Sequence, residues 1–202
     1  ESAVAWQDVK ARTLDSDSEV ELTGANSVEV KFQPQDKRSL LKQLDAQGRS
    51  VITMSAPKSK ASDKRAANKR LTADQVKLFW RSTGKDLEKA EANGNAELFV
   101  DPLDQSSSSD RKTLTAPNFS CEFFELGNLA KVCNASSGSK AVIEPVQPNP
   151  KRGTRTLTSQ TMTATFVPDT QDIERFDAKG EAKFNEDDRN GIADTVSYVA
   201  AE

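Results

Sequence analysis

The chain has 202 residues, a net charge of −3 and 35% hydrophobic residues. A balance so close to neutral gives no global field for nucleic acid, and no apolar run approaches the roughly 18 residues a membrane helix needs. The chain contains no histidine. It therefore lacks the commonest general base and the commonest metal ligand, which argues against an enzyme and leaves no metal or cofactor expected. It starts at Glu1 with neither Met nor an apolar leader. The expectation is a mature or excised chain whose export signal has been removed.

In chain order, residues 1–39 carry WQDVKARTL and then SEVELTGANSVEVKF, where Val28, Val30 and Phe32 alternate with polar residues as in a half-buried strand. The Gly24 step reads as a degenerate first repeat. Residues 40–54 form the first clear repeat strand. Residues 57–70 hold six Lys or Arg against one Asp and are expected to be a solvated connection, with a patch for phosphorylated head groups as the sharper reading. Strands follow at 71–80, 87–100, 129–143 and 173–184, with turns at 82–85 and 168–171. The connections at 101–111, with four consecutive serines, and 144–155, with three prolines, are polar. Asn190-Gly191 predicts a tight hairpin turn before a last strand at 192–199.

One step recurs through these strands: LDAQGRSVI at 44–52, AEANGNAELFV at 90–100, CNASSGSKAVI at 133–143 and FDAKGEAKF at 176–184. Ala92, Ala135 and Ala178 are 43 residues apart, and Ala46 precedes Ala92 by 46. A second signature, RLTADQV, TLTAPNF and TLTSQTM, places Leu71, Leu114 and Leu157 at the same interval of 43. Two markers in one period predict a repeat protein of strand, short turn, return strand and polar loop. The units run roughly 40–70, 71–110, 114–155 and 157–199 within a single domain, 1–202. Inside each unit the apolar parity flips: Leu71 and Ala73 give way to Val76, Leu78 and Trp80, and Leu114 and Ala116 to Phe119, Cys121 and Phe123. A flip at one offset predicts a bulge or a sharp bend.

Cys121 and Cys133 flank a segment whose midpoint is Gly127. An antiparallel hairpin turning there sets them opposite each other, within disulfide reach. A disulfide would favour an oxidising compartment, whereas two reduced core cysteines would fit the cytosol.

Little else carries chemistry. Residues 186–197 imitate a calcium loop but offer Ser197 where a bidentate Glu is needed. Gly84-Lys85-Asp86 lacks the remainder of a phosphate loop. Asn118 and Asn134 begin glycosylation sequons. No nucleophile has a base in view. The apolar set Val76, Leu78, Trp80, Leu98, Phe119, Phe123, Met162, Phe166, Phe176, Phe184 and Tyr198 falls on one strand face. It is either the closed core of a sandwich or the lining of a groove for acyl chains.

The pairing of RLTADQVKLFW with LEKAEANGNAELF, and its looser copy over 156–184, resembles the OstA-like, LptA-like repeats of periplasmic lipopolysaccharide-transport proteins. The resemblance spans about residues 40–199. It implies an all-β, twisted β-jellyroll of stacked repeats of about 43 residues, open at both ends, carrying acyl chains inside. It also implies head-to-tail joining through strand edges to other jellyroll proteins of a bridge, or to further copies. The cysteine pair and the long basic and Ser/Pro-rich loops depart from the family pattern. The expected function is therefore periplasmic binding and relay of lipopolysaccharide or a similar amphipathic lipid towards the outer membrane. Lys58, Lys60, Lys64, Arg65, Lys151 and Arg152 are the head-group candidates. The alternative is a structural or protein-binding β-solenoid with a closed core and no lipid.

Overall fold

A computed structural model describes residues 1–14, 19–35, 38–56, 66–125, 128–148, 152–168, 171–187 and 189–200. They form ten strands and no helix: β1 (Ser2–Leu14), β2 (Glu19–Gln35), β3 (Arg38–Ser55), β4 (Ala67–Trp80), β5 (Leu87–Pro102), β6 (Asp110–Phe123), β7 (Ala130–Pro145), β8 (Arg155–Phe166), β9 (Ile173–Glu186) and β10 (Arg189–Val199). Every strand pairs antiparallel with its neighbours in sequence, giving one open sheet in the order β1 to β10. The protein is all-β.

A single flat sheet would leave both faces in water, yet Val76, Ala46 and Ala178 are 0% exposed. Among the described residues no other element is available to cover them, so the sheet covers itself. The means is a line of bulges. In every pairing except β2 with β3, the register shifts near mid-strand, for instance between Gln47 and Ser50, Asn93 and Ala96, and Ser136 and Ser139. At this line two residues of one strand oppose one of the next: Gly94 and Asn95 face Pro117, and Ser137 and Gly138 face Gln160. A bulge bends its strand, and bulges aligned across a sheet crease it. The backbone conformation agrees. Gly94 and Asn95, Ser137 and Gly138, and Gly180 and Glu181 all have positive φ, and the pairs recur every 43 residues.

The Ala-x-Gly step is the bulge written in sequence. Gly94 is required because the Asp74 carboxylate lies where a Cβ would project, and Gly48 because Asn26 lies over it in the same way. The inward residues along the crease are small: Ala25, Ser50, Ala73, Ala96, Ala116, Ser139, Ser159 and Ala182 are all buried. Where two walls of one sheet meet, nothing larger fits at interior packing density. Ser50 and Ser159 turn their hydroxyls back to the carbonyls of Gly48 and Thr161, at 3.0 and 2.9 Å.

The predicted parity flip is this bulge, and the paired cysteines are as expected. Cys121 and Cys133 are direct cross-strand partners and form a disulfide, with Cα atoms 4.1 Å apart. Two expectations are corrected. Asn190 and Gly191 are not a turn; they pair with Asn185 and Phe184 inside β10, and the reversal begins at Asp187, whose φ is 47°. The short side chains at 190–191 sit on an edge strand, where a weak strand former is tolerated. The connection at 57–70 is also shorter than expected, because β4 begins at Ala67 and takes Lys69 and Arg70 into the sheet. Their pairing with Val100 and Phe99 outweighs their polarity.

Candidate functional site

Cross-strand register assigns each side chain to a face, since residues paired in adjacent strands share one. The face folded inward by the crease carries three main apolar rows. Nearest the crease on one side runs Val28, Ala46, Val76, Ala92, Phe119, Ala135, Met162, Ala178 and Val196. Next to it runs Val30, Leu44, Leu78, Ala90, Cys121, Cys133, Ala164, Phe176 and Tyr198. Trp80, Phe123 and Phe166 continue that side up to the tight turns, paired with Leu87, Ala130 and Ile173. On the other side of the crease runs Leu22, Ile52, Leu71, Leu98, Leu114, Ala141, Leu157 and Phe184.

The predicted apolar set therefore shares one face. Val76 and Met162 are buried against the crease, and Leu78, Trp80, Leu98, Phe119, Phe123, Phe166, Phe176 and Phe184 are half-buried along the two walls. Tyr198, on the last strand, is 55% exposed. Burial falls from the crease outward, as in a trough that is closed at the bottom and open at the top. Several lining residues escaped the sequence reading, among them Leu22, Ile52, Leu71, Leu114 and Leu157. Their signal was present: Leu71, Leu114 and Leu157 share the inward parity of their strands before the flip, and Ile52 shares that of Leu44 and Ala46 on its own strand.

The tight-turn end is braced from hairpin to hairpin. The Asn128 side-chain carbonyl accepts from the Leu87 amide at 2.6 Å, and the Gln171 side-chain carbonyl accepts from the Ala130 amide at 2.8 Å. Asn128 and Gln171 lie 43 residues apart and both have positive φ, so the brace repeats with the chain. The Arg81 guanidinium donates to the Phe123 carbonyl at 2.8 Å. At the opposite end, Asp110 accepts from Arg152 and Arg155, both at 2.6 Å. Of the head-group candidates, Lys58, Lys60, Lys64, Arg65 and Lys151 lie outside the described residues, and Arg152 is committed to Asp110.

The outward face is polar. A recess of about 590 Å³ on that side has Thr115, Lys140, Thr158, Gln160, Glu181 and Lys183 in its lining, together with Ala96, Ala116, Ser139 and Ser159 of the crease. On the same face near the last strand, Arg175 and Ser197 both donate to Asp177. The Arg175 hydrogen bonds, with help from Ser197, hold the Asp177 carboxyl down at about 2. Among the described residues no cluster of three His, Cys, Asp or Glu is placed to hold a metal ion.

The outermost strands differ from the rest. Among the described residues, Val4 and Trp6 on β1, and Ile192, Tyr198 and Val199 on β10, are the large hydrophobic residues left exposed, with Trp6 at 73% and Ile192 at 78%. Each of these strands has one unpaired edge. No protein-family model, curated protein or solved structure matches the chain.

Proposed function

We propose that this protein is a periplasmic lipid carrier that holds the acyl chains of lipopolysaccharide, or of a similar amphipathic lipid, in the creased sheet and relays it towards the outer membrane. The fold behind this reading is a twisted β-jellyroll of stacked repeats of about 43 residues, open at both ends. The observation that carries it is the graded burial of the inward face. The crease is dry and filled with small residues, while the leucines and aromatics of the walls are only half-buried. Such walls leave apolar surface for a ligand chain to cover, at about 25 cal/mol for each Å² removed from water. No catalytic step is needed. The disulfide supports an oxidising compartment.

The edges support head-to-tail partners, either other jellyroll domains or further copies. The mid-strand bulge of β1 is the two-residue side, with Gln7 and Asp8 both at positive φ, and that of β10 is the one-residue side, at Asp194. A β10 edge meeting a β1 edge would continue the crease as β8 meeting β9 does inside the chain.

The test is photocrosslinking with purified lipopolysaccharide and a photoreactive residue at Trp80 or Phe123, with exposed Glu122 as the outward control. Adducts at the inward positions alone are expected. A folded protein giving no inward adduct would overturn the reading in favour of a closed β-solenoid.

A further inference from the structure

One row of the inward face is not apolar. Beyond the Leu71, Leu98, Leu114 and Leu157 row, towards the long-loop end, cross-strand pairing aligns Met54, Lys69, Val100, Lys112, Ile143, Arg155 and Glu186. Lys69, Lys112 and Arg155 are 43 residues apart, one basic residue in each successive unit, with Val100 and Ile143 between them. No bulge separates Lys69 from Leu71 or Lys112 from Leu114, so both lysines stand on the face of the leucines two residues further on.

The acid on this row, Glu186, and the neighbouring Asp110 are both engaged by arginines. Asp110 accepts from Arg152 and Arg155, and Glu186 lies 4.0 Å from both Arg155 and Arg189. Lys69 and Lys112 have no ion pair among the described residues. Lys69 and Lys112 are both exposed to water, and protein around the Lys69 ammonium lowers its pKa by desolvation. Both conditions hold for a side chain on the inner wall of an open trough. A cation held there gains from any anion that replaces the water it has lost.

We propose that Lys69 and Lys112 bind the phosphate of an amphiphile whose acyl chain lies along the leucine rows below them. Rooted two strands apart, about 10 Å, the two long side chains converge on one phosphate above Val100, which offers no charge of its own. The inference rests on the reading of the trough as a lipid site and adds what that reading lacks, a strand-borne group that selects phosphorylated lipids and sets their orientation. The phosphate lies at the long-loop end, so the acyl chain runs across the crease towards Trp80 and Phe123.

The experiment measures equilibrium binding of radiolabelled 1-oleoyl lysophosphatidate and of monoolein, the same chain without phosphate, to the whole chain below lipid aggregation. Wild type is expected to prefer lysophosphatidate by roughly tenfold, in keeping with two charge-assisted contacts. K69Q/K112Q should reduce lysophosphatidate to the level of monoolein and leave monoolein unchanged. K140Q, an outward lysine, should change neither. Inorganic phosphate in millimolar excess should displace neither lipid. Monoolein binding with no preference for lysophosphatidate, or an unaffected double variant, overturns the phosphate assignment while the trough stands. An equal loss in K140Q overturns it too, and displacement by phosphate alone overturns the amphiphile as its source, leaving the lysines a site for free phosphate. If neither lipid binds, the lipid reading itself falls, and this assignment falls with it.

Discussion

Replacing Gly94 by Ala, with Gly138 to Ala as its partner experiment, tests the crease directly. Both glycines have positive φ, +74° and +94°, so each substitution forces an L side chain into the left-handed region, at about 1–2 kcal/mol. Their surroundings differ. A Cβ at Gly94 would meet the Asp74 carboxylate oxygen at 2.5 Å and the Asp74 Cβ at 2.9 Å, whereas a Cβ at Gly138 meets nothing within 4 Å. The Asp74 Cβ is fixed to its strand and cannot swing away. Displacing it adds about 1–3 kcal/mol and strains the Asn95 to Asp74 hydrogen bond of 2.8 Å. G94A should therefore lose about 2–5 kcal/mol and G138A about 1–2. For a chain of 202 residues each kcal/mol shifts the midpoint by about 2–4 °C. Urea and thermal unfolding followed by circular dichroism would resolve the two. G138N should lie within about 0.5 kcal/mol of wild type, because asparagine tolerates this conformation and Asn95 adopts it 43 residues earlier. Equal losses in G94A and G138A would refute the packing of Asp74 over the crease.

Val76 is 0% exposed, so V76D buries an unpaired charge and should unfold the chain by several kcal/mol; W80D and F123D, on half-buried wall positions, should stay folded and lose lipid loading. Equal unfolding in all three would mark a closed core. Removing the disulfide with C121S/C133S opens a link across 12 residues of separation and should cost about 3 kcal/mol in the chain-entropy model; a loss under about 1 kcal/mol in denaturant unfolding would show that the hairpin is held by pairing alone. Asp177 has a folded pKa of about 2 against an ordinary 3.8. Its contribution is therefore present above about pH 4 and disappears as pH falls towards 2, and D177N should flatten acid unfolding in that window. An unchanged acid profile would remove Asp177 as a link between β9 and β10.

Much of the architecture was legible because the local rules and the tertiary ones agree. The left-handed pair at a bulge favours Gly or Asn, although Ser137 and Glu181 also adopt it, and the meeting of two walls demands Ala or Ser. Ala92-Asn93-Gly94-Asn95-Ala96 satisfies both, and its copies made the period visible. The parity flip from Ala73 to Val76 was readable for the same reason, since a missing residue on one side of a bulge moves every later side chain to the other face. Asn190-Gly191 misled because its turn chemistry was judged without its partners, Asn185 and Phe184. Lys69 misled in the opposite way, its charge hiding a strand position within a basic segment.

The sequence by itself determined an all-β chain, its interval of 43 residues, the strand face that turns inward and the opposition of the two cysteines. Each of these follows from chain geometry within one or two strands. Only the tertiary structure decided that the strands form one unclosed sheet, that the bulges line up from strand to strand across it and that both outer edges stay unpaired. It also decided that lysines 43 residues apart stand in one row above the leucines. Those features depend on which strands lie side by side, and cross-strand registry is a sum over many weak pairs that no single segment encodes.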